Sequence, residues 1–228
     1  MELGKKQTLY VVKRTDFGVY LNENEEEQDG FVNVLLPRKQ VPEGTQIGDQ
    51  IEVFLYRDSM DRLIATTNTP KLTLGECAKL TVIEVGKIGA FMDWGLEKDL
   101  LLPFKEQTGR VRTGREYLVC LYVDKSKRLC ATMKLYHHLS NESPYKENDK
   151  VTGTVYEVIE DMGAFVAVDD KYQGLIPVKE LHRKVAVSDV IEGRVASVKE
   201  DGKLDISLSK KAYLQMDVDC ATIMETID

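Results

Sequence analysis

The chain has 228 residues, 43% of them hydrophobic and 30% charged, and a formal net charge of −7. That balance fits a globular protein and excludes an intrinsically disordered one. No run reaches the roughly 18 apolar residues of a membrane helix and Met1 to Tyr10 lacks a signal-peptide core, so a cytoplasmic protein with no membrane partner is expected.

The charge is unevenly spread. Residues 8–69 hold 6 basic and 11 acidic side chains, residues 70–139 hold 12 and 8, and residues 140–211 hold 11 and 14. Only the middle section is basic, and an electrostatic footprint for nucleic acid is expected there.

Taken in chain order, one pattern occurs three times. Asp16-Phe17-Gly18-Val19-Tyr20-Leu21 is followed by Leu35-Leu36-Pro37 and closes on Arg62-Leu63-Ile64-Ala65-Thr66. Lys87-Ile88-Gly89-Ala90-Phe91-Met92 leads to Leu101-Leu102-Pro103 and Arg128-Leu129-Cys130-Ala131-Thr132. Asp161-Met162-Gly163-Ala164-Phe165-Val166 leads to Leu175-Ile176-Pro177 and Lys203-Leu204-Asp205-Ile206-Ser207. From Gly to Pro the copies span 19, 14 and 14 positions, and from Pro to the closing Thr or Ser 29, 29 and 30. The first copy therefore carries an insertion of five, placed in the polar run Asn22 to Gln28, where Glu25-Glu26-Glu27 reads as a solvated loop.

Each copy reads as about five short strands, with the period of two seen in Val151, Gly153 and Val155 against Thr152, Thr154 and Tyr156. The repeated Gly suits a sharp bend or bulge, and closing five short strands into a barrel removes their open edges. Asp58 to Asp61, Asp124 to Lys127 and Glu200 to Gly202 are turn clusters between strands four and five. Asn68 to Leu74 and His137 to Asn148 are the connections. The expected domains are thus 1–69, 70–139 and 140–210. Beyond them Tyr213, Met216, Cys220, Ile223 and Ile227 recur every three or four positions, which predicts an amphipathic helix over 211–228 with an apolar face for a barrel or a protein partner.

Gly-Ala-Phe-Val, then Gly-Leu-Ile-Pro-Val-Lys-Glu-Leu from Gly174, then Lys-Leu-Asp-Ile-Ser-Leu-Ser from Lys203, resembles the ribosomal S1 domain. Three such modules and a helix resemble the conserved virulence factor B family over essentially the whole chain. The resemblance implies an all-β fold of three tandem OB-fold barrels that bind single-stranded RNA without catalysis, acting in post-transcriptional regulation that includes virulence genes. It also implies a winged-helix domain after the helix, which this sequence, ending at Asp228, does not include.

The S1 pattern maps onto this chain residue by residue. The ring before the Gly is kept only as Phe17, with Ile88 and Met162 in the other copies. The aromatic two positions after the Gly is Tyr20, Phe91 and Phe165, and the basic residue of the last strand is Arg62, Arg128 and Lys203. The family's His becomes Pro37, Pro103 and Pro177. Around Phe91 the sequence supplies Lys87, Lys125, Lys127 and Arg128, so the second copy is the favoured contact: bases stack on exposed rings while cations follow the phosphates. Strand alternation fixes which residues share a face, not which face is outside, so Phe91 and Phe165 are either stacking platforms or core residues. Trp94 reads as a core or rim residue.

No phosphate loop, nucleophile elbow or clustered acids appear, so neither an enzyme nor a cofactor is expected. Cys77, Cys120, Cys130 and Cys220 lack CxxC spacing, which leaves no metal site. Cys120 and Cys130, on adjacent strands, could be near neighbours and read as buried reduced thiols in preference to a redox pair. A protein-interaction scaffold using the barrels and the terminal helix is the rival function, because OB folds serve both roles.

Overall fold

A computed structural model describes residues 1–25, 32–181 and 184–208. The helix expected over 211–228 lies outside the described residues, as does most of the acidic insertion. The chain divides into two compact units, Met1–His138 and Leu139–Asp228.

The first unit holds two five-stranded sheets. In the first, β1 (Lys6–Thr15), β2 (Gly18–Asn22), β3 (Val34–Pro37), β4 (Gln50–Arg57) and β5 (Leu63–Thr66) close into a barrel in the order β1-β2-β3-β5-β4. In the second, β6 (Cys77–Val85), β7 (Gly89–Asp93), β8 (Leu100–Pro103), β9 (Glu116–Val123) and β10 (Leu129–Thr132) keep that order, but β8 and β10 lie side by side without a shared ladder. The second unit repeats the closed barrel with β11 (Lys150–Ile159), β12 (Gly163–Val168), β13 (Tyr172–Pro177), β14 (Val190–Val198) and β15 (Leu204–Ser207). Three five-stranded β-barrel modules are what the repeat predicts.

Alternation builds each core. Val19, Leu21, Val34, Leu36, Val53 and Leu55 point into the first barrel, and Ala164, Val166, Ile176, Ile191 and Ile206 into the third. The first strand of every module carries a register shift, at Val11/Lys13, Val82/Glu84 and Val155/Glu157, which lets a long strand curl round a small barrel.

The repeated glycine has a sharper cause than a bend. Gly18, Gly89 and Gly163 have φ of +148°, +156° and +124°, and an added Cβ would sit 2.0–2.3 Å from the carbonyl oxygen of Leu36, Leu102 or Ile176. Each pairs with the proline that ends the next strand, Pro37, Pro103 or Pro177, and a 3-10 turn follows that proline. The Gly-to-Pro spacing is therefore one strand pair held at its closest point.

The cysteines differ from expectation. Cys77 and Cys120, directly opposed on β6 and β9 with Cα atoms 4.0 Å apart, are joined as a disulfide, while Cys130 is free and buried. On the adjacent strands β9 and β10, Cys120 faces Thr132 and Cys130 faces Tyr122. The true neighbour comes from the first strand of the module, because β6 lies between β7 and β9.

Candidate nucleic-acid interface

The period of two decides where the aromatics stand. Ala90 and Met92 are fully buried while Phe91 between them is half-buried, and Tyr20 and Phe165 repeat this between Val19 and Leu21 and between Ala164 and Val166. All three rings thus lie on the outer face of their sheet, and the core alternative for Phe91 and Phe165 is set aside. Phe165 leans on Tyr156 with ring centroids 6.1 Å apart. Phe17 stands at the β1–β2 turn with 78% of its surface exposed, and Ile88 and Met162 occupy the same turn at 61% and 50%.

Phe91 lies in a cleft of about 180 Å³ between the first two sheets. Ile88, Trp94, Leu101 and Arg128 come from the second sheet, and Tyr56 and Arg57 from β4 of the first barrel. Trp94 is buried: it meets Phe54 and Tyr56 edge-on at 5.7 and 6.3 Å, and its Nε1–H donates to the Lys98 carbonyl at 2.6 Å. Its burial fits the core-or-rim reading, and it lines the cleft. The structure therefore brings Phe91 and Arg128 together. Lys87, Lys125 and Lys127 are exposed on turns and do not line the cleft.

Each cation of the last-strand position meets an aspartate. Arg62 grips Asp58 with Nε at 2.9 Å and Nη2 at 2.7 Å, Arg128 Nε reaches Asp61 of the first barrel at 3.1 Å, and Lys203 Nζ reaches Asp201 at 2.6 Å. All these carboxylates come from turns between strands four and five. Burial pushes the Asp58 carboxyl upward, but hydrogen bonds from Arg62 and from the Met60 N–H outweigh it and hold it below its ordinary value. The Lys203 ammonium holds Asp201 low in the same way. Burial raises the Tyr56 phenol, helped by Glu97 and Asp58, and pushes the Cys130 thiol up to about 11. The thiol in the cleft is therefore protonated at neutral pH and unsuited to nucleophilic chemistry.

Sequence reasoning missed Tyr56, Arg57 and Lys98. Tyr56 and Arg57 belong to the cleft only because the first two sheets dock, with Arg57 Nε donating to the Lys127 carbonyl at 3.1 Å and Lys98 Nζ, from the second module's own β7–β8 connection, to the Asp58 carbonyl at 2.8 Å. Nothing in a one-module motif signals a neighbour's strand. Among the described residues no group of His, Cys, Asp and Glu could hold a metal ion, and no helix is long and apolar enough to cross a membrane.

The S1 domain family model matches residues 3–68 and 74–134, and that of the second domain of virulence regulatory factor CvfB matches residues 137–210. The chain belongs to the S1-domain family related to virulence factor B. YitL of Bacillus subtilis is 30% identical to this S1 protein over 233 residues, covering 98% of the chain and 76% of the relative. Conserved virulence factor B of Staphylococcus epidermidis RP62A is 21% identical over 238 residues, covering 99% of the chain and 74% of the relative. A crystal structure of a multidomain protein with nucleic acid binding domains from Streptococcus pneumoniae shares the fold: TM-score 0.58, 21% identity, covering 92% of this chain and 75% of that one. Measured against the S1 pattern, the aromatic on strand two is kept in all three modules and the basic position is kept but ion-paired.

Proposed function

We propose that this S1 protein binds single-stranded RNA without catalysis in the cytoplasm, and that it thereby acts in post-transcriptional regulation, including of virulence genes. Residues 1–69, 70–139 and 140–210 are its working modules, and the second dominates. The carrying observation is the cleft lined by the half-exposed Phe91 ring and Arg128, both from the basic section of the chain, and by Tyr56 of the first barrel. A ring offers a base face worth about 1–3 kcal/mol per stacked base, and neighbouring cations follow the backbone. Phe17, Tyr20, Phe165, Arg62 and Lys203 serve as lesser contacts, and Lys87, Lys125 and Lys127 add long-range attraction. The titration of labelled oligouridine at two salt concentrations tests this. Binding should weaken with salt and be lost in Phe91→Ala/Arg128→Ala, whereas no binding at tens of micromolar protein in low salt refutes the reading.

One observation favours the rival, a protein-interaction scaffold. Ile88 and Phe104 stand exposed at adjacent turns of the second sheet, as Met162 and Val178 do in the third barrel. A protein partner covering these turns would be sensitive to Ile88→Asp and indifferent to salt.

A further inference from the structure

The first barrel is acidic as a whole, yet its cations are gathered. Residues 8–69 contain six basic side chains: Lys13, Arg14, Arg38, Lys39, Arg57 and Arg62. Arg57 is engaged by the carbonyls of Asp61 and Lys127, and Arg62 by Asp58. The other four share one end of the barrel, because Arg14 pairs with Val19 and Gly18 with Pro37, so the end of β1 and the 3-10 turn at Arg38–Gln40 meet. The Arg38 N–H donates to the Phe17 carbonyl at 2.8 Å. Among the described residues none of these four cations has a carboxylate partner.

Arg14 and Arg38 line a cleft of about 810 Å³, walled also by Thr15, Val41, Pro42 and Glu43. Arg14 is aimed by a hydrogen bond from Nη1 to the Thr45 carbonyl at 3.3 Å, and that loop is itself pinned by the Gly48 N–H on the Val11 carbonyl at 2.8 Å. Gly44 at the rim has only open space around its missing side chain. Two arginines lining one open cleft suit the tetrahedral oxygens of a phosphate. Glu43 offers an acceptor for a ribose hydroxyl, and the exposed ring of Phe17 stands next to the lining residues Asp16 and Gly18.

We propose that this cleft binds the phosphate of a nucleotide through Arg14 and Arg38. The site is distinct from the Phe91 cleft and goes beyond the RNA reading, since it holds for a free nucleotide as well as for an RNA phosphodiester. The test uses the full chain with two probes, labelled oligouridine by fluorescence anisotropy and ADP by calorimetry. Two variants are compared: Arg14→Ala/Arg38→Ala, and Lys13→Ala/Lys39→Ala, which removes the same charge outside the cleft. All four side chains are exposed, and thermal melting confirms folding. For an RNA phosphate, the arginine pair loses about tenfold in affinity and its salt slope flattens by about 0.7, the share of one phosphate, while the lysine pair loses clearly less. ADP binding lost only in the arginine pair, with oligouridine unbound or unaffected, assigns the site to a free nucleotide and lets the RNA reading fail separately. Equal losses in both pairs, no loss with either probe, or no binding of either probe would overturn the site.

Discussion

Where the first two sheets place Leu9, Val34 and Val53, and Leu80, Leu100 and Val119, at inward positions, the third barrel has Gly153, Gly174 and Gly193. On the closing strand the sizes reverse: Ala65 and Ala131 in the first two, Ile206 in the third. An added Cβ would lie 2.7 Å from Ile206 Cδ1 at Gly174, 2.8 Å from its Cγ2 at Gly193, and 2.4 Å from Val166 Cγ1 at Gly153. None of the three glycines has a left-handed backbone, so their smallness answers to space alone. The same fold is thus filled by large residues facing a small one, or by small residues facing a large one. Interiors pack at a fixed density, and volume can move across a core provided the total is kept.

The sharpest way to break this comparison is to mix the two solutions. Ile206→Ala should cost about 2–5 kcal/mol, because the two glycines that face it, Gly174 and Gly193, leave nothing to fill the hole. Gly174→Leu, the residue of the second sheet, should overpack the barrel by about 1–3 kcal/mol or more. Combined, the two changes recreate the Leu100/Ala131 arrangement, and their joint cost should fall short of the sum by about 1–3 kcal/mol. Urea denaturation of the four proteins gives the coupling. Strict additivity would show that Ile206 and Gly174 do not share one space.

On the outside the modules converge, and the next effect in size separates them. Phe91→Ala should weaken oligouridine binding by about 1–3 kcal/mol, the worth of one stacked base. Phe165→Ala should cost less, since that ring is already engaged by Tyr156 and stands in an acidic section. Anisotropy titrations of both variants at one salt concentration rank the modules. A larger loss for Phe165→Ala would move the principal site to the third barrel.

Much of this was legible in the residues. The Gly-to-Pro spacing announced the repeat because a carbonyl 2 Å from any Cβ admits only glycine, and the alternation around Phe91 limited the ring to two faces. What stayed hidden depends on long-range placement. Cys77 meets Cys120 only because the first strand of a module lies beside the fourth, and Tyr56 enters the second module's cleft only because Trp94 docks on Phe54. Nor could composition show that Arg62, Arg128 and Lys203 would each find an aspartate, since turn-forming Asp residues occur for local backbone reasons.

Those aspartates give the smallest effect and the finest test of likeness between modules. A surface ion pair contributes about 0–1 kcal/mol to stability, so Asp58→Asn and Asp61→Asn should barely shift the unfolding midpoint. Each would instead release an arginine for phosphate, and oligouridine affinity should rise a few-fold with the salt slope steepening by about 0.7. Acid should mimic the change only at an extreme. Arg62 holds the Asp58 carboxyl below its ordinary value, so the pair is intact above the usual carboxylate range and is lost only as pH falls through the depressed value. Between pH 5 and 8 this pair should therefore contribute no pH dependence to binding. If Asp61→Asn raises affinity and Asp58→Asn does not, Arg128 meets the strand and Arg62 stands off its path. The reverse would place the RNA on the first barrel, beside the Arg14/Arg38 cleft, despite its acidic surroundings.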